Sequence, residues 1–148
     1  PIHGEMSDNT VVRAHLSGGG GLNSTTEDYV RFAQMLLNDG EYRGARILEE
    51  ETLDWMKEER ITPDVSREYF FYGNRGGWSM GFHLQPNDPA NPDAGSNFGW
   101  RGIGGTLFAV DPYNDYFMIY MEQKRGGPRG APFDNSTAQR VVQQAVTN

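Results

Sequence analysis

Residues 98–121 read FGWRGIGGTLFAVDPYNDYFMIYM, and their pattern decides the class of fold. From Phe98 to Val110 the apolar side chains are those of a strand, interrupted by glycines at 99, 102, 104 and 105. Asp111-Pro112-Tyr113-Asn114-Asp115 has turn chemistry: Pro presets φ, and Asp and Asn hydrogen-bond to nearby backbone. Tyr116–Met121 then forms a second apolar run. A strand that is apolar on both faces is expected to be central or covered.

Working outward, Trp78, Met80, Phe82 and Leu84 alternate with Ser79, Gly81 and His83, the period of a half-buried strand. Asn, Asp and Pro between Pro86 and Gly95 mark an exposed connection. Nearer the N-terminus, Ser24 and Glu27 form a capping-box pair. Tyr29, Phe32, Ala33, Leu36 and Leu37 recur at helical spacing behind it, and Gly40 stands where the helix should stop. A turn at Tyr42-Arg43-Gly44 leads to a shorter helix at about 49–58. Its three leading acids, Glu49, Glu50 and Glu51, suit the positive end of a helix dipole better than a metal cluster. Residues 60–76 and the Gly/Pro-rich Lys124–Phe133 read as loops. Ser136 and Gln139 cap a final helix carrying Val141, Val142, Ala145 and Val146.

The expected order is helix, helix, a three-strand meander, helix: an α+β fold with an antiparallel sheet flanked by helices. One feature resists this arrangement. Tyr116–Met121 ends the meander, yet an apolar strand with a free edge invites pairing. A partner strand is therefore expected beside it, from a second copy of the chain or from sequence outside it.

Composition narrows the partners. Of 148 residues, 36% are hydrophobic and 12% aromatic, which suits one globular domain. Thirteen basic and twenty acidic side chains give a net charge of −7. That sign disfavours nucleic acid and anionic lipid as partners. The absence of cysteine removes disulfides and thiolate chemistry but leaves the cellular compartment open. No apolar run approaches the ~20 residues of a membrane span. The chain opens Pro1-Ile2-His3-Gly4, without an initiator Met or a signal-peptide pattern.

Motifs for a nucleophile fail on context. Gly77-Trp78-Ser79-Met80-Gly81 matches G-x-S-x-G, but that elbow needs a helix directly after the serine, and here a strand pattern continues. No histidine follows His83 to complete a later triad. None of the seven serines is followed three residues later by Lys. His3, His15 and His83 lack metal-ligand spacing. Asp88, Asn91, Asp93 and Asn97 lack the order and closing Glu of a calcium loop. Nothing in the sequence calls for a metal or a cofactor.

The glycine-rich segment 99–105 has two readings. A strand that gives up side-chain packing lets something approach its backbone, and a bared N–H can serve a developing oxyanion. Alternatively it is a bulged strand with a packing role alone.

The run Gly18-Gly19-Gly20-Gly21-Leu22-Asn23-Ser24-Thr25, the helix through Leu37, Trp100-Arg101-Gly102-Ile103-Gly104-Gly105-Thr106 and Asp111-Pro112 together resemble the C-terminal part of the serine β-lactamase-like family. That family includes class C β-lactamases, penicillin-binding-protein-type peptidases and related esterases. The resemblance runs from about residue 17 to the end. It implies the C-terminal section of an α/β sandwich, with residues 1–148 forming the C-terminal portion of a single domain. It also implies an acyl-enzyme mechanism acting on ester or amide bonds, with the nucleophile in an S-x-x-K motif on an N-terminal portion that this sequence lacks.

Trp100-Arg101-Gly102 is similar to the W-x-G form of the family's third motif. By that likeness Trp100, Arg101 and Gly102 line the substrate cleft, and the Ile103 N–H is the oxyanion donor. Trp in place of the motif's Lys removes a cation suited to a β-lactam carboxylate and favours esterase-like activity. Strand alternation aims Arg101 away from Trp100. The resemblance also places N-terminal strands of the complete protein beside Tyr116–Met121. The expected partners are thus a small ester or amide substrate and the N-terminal portion. The rival expectation is a non-catalytic module that self-associates through strand 116–123.

Overall fold

In the computed structural model, residues 14–15, 18, 22–68, 76–87, 90, 95–123 and 133–147 are described. Gly19–Gly21, residues 88–89 and 91–94 of the connection and residues 124–132 lie outside them. The elements run α1 (Thr26–Leu37), β1 (Glu41–Tyr42), β2 (Ala45–Arg46), α2 (Glu50–Lys57), β3 (Gly77–Trp78), β4 (His83–Pro86), β5 (Ser96–Arg101), β6 (Leu107–Asp111), β7 (Tyr116–Tyr120) and α3 (Asn135–Thr147). Strands β3 to β7 form one antiparallel sheet in sequence order, and β1 pairs with β2 in a separate hairpin. This is an α+β architecture, an antiparallel sheet flanked by helices.

Helix α1 starts one residue later than the Ser24–Glu27 pair suggests. Thr25 is the N-cap, its hydroxyl accepting from the Asp28 N–H and donating to the Asp28 carboxylate. Two overlapping pairs, S-x-x-E and T-x-x-D, compete here, and the second wins. At the other end Asp39 takes a left-handed φ of 49°, and the Gly40 N–H reaches back to the Met35 carbonyl at 2.9 Å. That is a Schellman closure. Gly40 itself, at φ 93°, lies so close to the Leu48 carbonyl that a Cβ would collide with it.

The expected three-strand meander is a five-strand one, because two of its strands are hairpins. Trp78–Leu84 folds back at Ser79–Phe82, where the Ser79 N–H donates to the Phe82 carbonyl at 3.0 Å and Gly81 takes φ 88°. Phe98–Val110 folds back at Gly102–Thr106, with Gly105 at φ 94°. Glycine at positive φ is what makes both reversals inexpensive.

The two sheet faces differ. Phe98, Phe108 and Val110 join Phe82, Ala33, Met35, Leu36 and Leu53 in one core beneath α1 and α2. Burying each large apolar side chain there contributes about 1.5–3 kcal/mol. Asn97, Arg101 and Asp111 point the other way, toward α3. The buried residues of α3 are Ala138 and Gln139, whereas Val141 and Val146 are exposed. Its cap is Asp134, which accepts from the Thr137 N–H at 2.8 Å, rather than Ser136.

Strand β7 ends the sheet as an edge, with β6 its sole strand neighbour among the described residues. Helix α1 covers one of its faces and α3 touches the other. All five of its residues are half-buried. Among the described residues the strand is covered above and below but has no neighbour along its side.

Candidate functional site

The residues singled out by the sequence lie at one end of the sheet, where β5 runs into β6. Trp100 is paired with Phe108 across the ladder and is 45% exposed. Its ring stands edge-on to Trp78 with centroids 5.0 Å apart, and Trp78 contacts the ring of buried His83 at 5.5 Å. Edge-to-face pairs of this kind contribute roughly 0.5–1.5 kcal/mol beyond burial. Together they make an aromatic shelf beside the hairpin.

Arg101, the next residue, is turned to the opposite side, as alternation requires. Its guanidinium donates to Asn135 Oδ1 at 2.6 Å, to Ser136 Oγ at 3.2 Å and to Gln139 Oε1. The cation is spent on the first turns of α3, not on the Trp100 side of the strand.

Gly102 and Ile103 belong to a tight hairpin instead of an uninterrupted strand. The Gly102 N–H donates to the Thr106 carbonyl at 2.9 Å, and the Gly105 N–H to the Gly102 carbonyl at 3.1 Å. With Gly105 at positive φ, this is the three-residue loop built on a turn followed by a left-handed residue. Ile103 lies at the tip, 77% exposed. Among the described residues its N–H has no acceptor. A preoriented N–H free of an internal partner is what oxyanion stabilisation needs.

The glycines also answer to packing. A Cβ at Gly99 would collide with the Phe108 carbonyl, and one at Gly102 with the Thr106 hydroxyl. What comes close to the backbone at these two positions is the neighbouring strand and the hairpin's own side chain.

The contacts of four residues of this region escaped the sequence reading. Trp78 was placed in a strand with Phe82 and Leu84, yet it contacts Trp100. Glu59, in the loop, accepts hydrogen bonds from the Trp78 N–H at 2.9 Å and the Ile61 N–H at 3.0 Å. Burial pushes its carboxyl up, but those two bonds and the Arg67 guanidinium outweigh it and hold the group below the ordinary glutamate range. Asn135 reaches across from α3 to the Gly105 carbonyl at 2.7 Å. A residue this far along the chain leaves no local signal of such a contact. Gln139, expected in a cap, is buried between Arg101 and Asn97.

Ser79 lies in the β3–β4 turn, its hydroxyl donating to the Phe82 carbonyl at 3.4 Å, with no helix after it. It lacks the setting of a nucleophile elbow. Among the described residues no cluster of three His, Cys, Asp or Glu could hold a metal, and no helix is long and apolar enough to cross a membrane.

In sequence the chain is similar to two Mycobacterium tuberculosis proteins, uncharacterized protein MT1414 of strain CDC 1551 / Oshkosh and protein Rv1367c of strain ATCC 25618 / H37Rv. Each is 36% identical over 118 residues, covering 72% of this chain and 29% of the relative. The chain thus spans less than a third of the length of those relatives. In structure it is similar to a Bacteroides dorei DSM 17855 protein crystallised as a candidate β-lactamase. The TM-score is 0.63 at 19% identity, over 88% of this chain and 42% of that one, a likeness of fold alone. The Beta-lactamase family model matches residues 2–143, and the chain belongs to that family.

Proposed function

We propose that residues 1–148 are the C-terminal portion of a serine hydrolase domain that cleaves ester or amide bonds through an acyl-enzyme. In this reading the serine and its lysine lie on an N-terminal portion, and this chain supplies the opposite wall of the cleft. Trp100 lines the acyl pocket, and the Ile103 N–H donates to the oxyanion. The observation that carries the reading is the Trp100–Ile103 hairpin, in a chain matched to the family over nearly its whole length. That hairpin carries an exposed aromatic ring three residues before an N–H that has no acceptor among the described residues, which supports the reading.

The preference for a substrate without a carboxylate rests on charge. Trp100 stands where the family's third motif has Lys, and Arg101 is bound to α3. An uncharged ester suits such a wall better than an anionic β-lactam, because neither Trp100 nor the engaged Arg101 compensates the desolvation of an anion.

Incubation of the 148-residue chain with a fluorophosphonate or a labelled penicillin, followed by intact mass, is expected to give no adduct. A stoichiometric adduct on this chain would sink the reading. Upstream coding sequence bearing S-x-x-K followed by Y-x-N supports it, and an upstream stretch without either motif counts against it.

The side of β7 without a neighbour among the described residues favours a second reading, a non-catalytic module that assembles through residues 116–123. Light scattering separates the two. A dimer that dissociates on dilution, and that an Ile119→Pro change abolishes while the monomer stays folded, would favour assembly.

A further inference from the structure

We infer that Asn135 is a positioning residue that aims the Ile103 N–H from the first turn of α3, an assignment that rests on the hydrolase reading above. The hairpin it acts on has little stiffness of its own. Three of the five residues from Gly102 to Thr106 are glycine, which restricts backbone least. Two internal hydrogen bonds close the loop.

A third bond comes from outside. Asn135 Nδ2 donates to the Gly105 carbonyl at 2.7 Å, while its Oδ1 accepts from Arg101 at 2.6 Å. One amide therefore spans both ends of the hairpin: the residue that enters it and the residue that leaves it. The amide is held in turn, because Asp134 caps the helix at Thr137 and Arg101 grips Ser136 and Gln139 on the same turns.

The link from Gly105 to Ile103 follows from peptide geometry. The Gly105 N–H donates to the Gly102 carbonyl. That carbonyl shares a plane with the Ile103 N–H and points opposite to it, since the peptide is trans and planar. Fixing the carbonyl inward turns the N–H outward. The sequence of constraints is Arg101 to Asn135, Asn135 to Gly105, Gly105 to the Gly102–Ile103 peptide. Only its last member, the Ile103 N–H, meets substrate, so Asn135 acts through the hairpin.

Asn135→Asp is the discriminating change. It keeps the shape and the acceptor for Arg101, and turns the donor to Gly105 into an anionic oxygen that its carbonyl repels. By hydrogen exchange on the 148-residue chain, the Gly102 and Gly105 amides are expected to exchange at least about tenfold faster, as for any locally opened segment. The amides of Phe98 and Val110 are expected to hold. In a full-length protein carrying this chain, kcat for an aryl ester is expected to fall about tenfold or more with KM within about twofold, the mark of an interaction used in the transition state. Asn135→Gln, which keeps the donor on a longer arm, is expected to recover part of the loss.

Unchanged exchange at Gly102 and Gly105 would overturn the proposal. So would exchange that rises equally through the sheet, or turnover that ignores a loosened hairpin. A wild-type full-length protein without turnover would instead sink the hydrolase reading, and the exchange comparison would still decide whether Asn135 pins the hairpin.

Discussion

The two faces of the β3–β7 sheet are held by different physics. Against α1 lie Phe98, Phe108 and Val110, in a core with an aromatic group at its centre: Phe108 meets Tyr29, Phe32 and Phe82 at 5.3, 6.0 and 6.2 Å. Toward α3 runs a chain of polar groups. Arg101 binds Gln139, Gln139 binds Asn97, Asn97 binds Asn87, and Asn87 binds Asp111. Apolar burial is non-directional and tolerates small slips. A hydrogen-bonded network fixes geometry, and it costs free energy wherever a buried partner is missing. The first face makes the fold stable; the second makes the hairpin at its end point one way.

The strongest way to break this contrast is Phe108→Ala. The residue is 5% exposed, and its loss is expected to cost about 3–5 kcal/mol by urea unfolding. Asp111→Ala attacks the other face. This fully buried carboxylate accepts from the Tyr113 and Asn114 N–H groups and from the Asn87 and Asn114 amides. Stranding those donors is expected to cost about 2–3 kcal/mol. A loss as large as that of Phe108→Ala would put both faces on an equal energetic footing.

Trp100→Ala sharpens the division between folding and function. The half-exposed ring contributes through its contact with Trp78, so stability is expected to fall by about 1 kcal/mol. Aryl-ester turnover in the full-length protein is expected to fall about tenfold or more.

The smallest effect is one of pH. Burial, and then the Asp111 charge, push the Tyr116 hydroxyl up to about 12 from its ordinary 10.0. The folded chain therefore keeps that proton to higher pH than the unfolded chain does. Its stabilisation is whole below pH 10 and drains away as pH climbs toward 12. Thermal melts across that window are expected to decline, and Tyr116→Phe to flatten the decline. An unchanged slope would remove Tyr116 from the account.

What could be read from the sequence, and what could not, follows from parity. Both long helices and the short one stand where periodicity puts them, with caps displaced because neighbouring residues offer equivalent caps. The merged strands are more instructive. Between Arg101 and Leu107 lie five residues, an odd number, so alternation passes through the hairpin unbroken: Phe98, Trp100, Phe108 and Val110 stay in phase. Only the glycines betray the turn. Between Trp78 and His83 lie four residues, and the phase inverts, so Trp78 pairs with His83 rather than siding with Leu84. A period-2 pattern cannot report that inversion. Of the candidate site, Trp100, Gly102 and Ile103 were legible as a motif, and the direction of Arg101 followed from alternation. Asn135 and Gln139 were not, because contacts made 30 and 38 residues away leave no trace in local spacing.

The Asp111 carboxylate has a bearing on the order in which these parts form. Two of its bonds are to N–H groups two and three residues ahead, so the β6–β7 reversal closes on itself without help from the rest of the chain. Hairpins of this kind form in microseconds, while contacts separated by many residues wait on loop closure. Asn87 lies 24 residues from Asp111, and Gln143 lies 56 from the Asn87 carbonyl it binds. The β6–β7 turn is thus the natural nucleus, with φ-values expected near one at Asp111 and Asn114 and near zero at Gln139 and Gln143. The hairpin bearing Ile103 would then reach its final orientation among the last events of folding, when α3 docks.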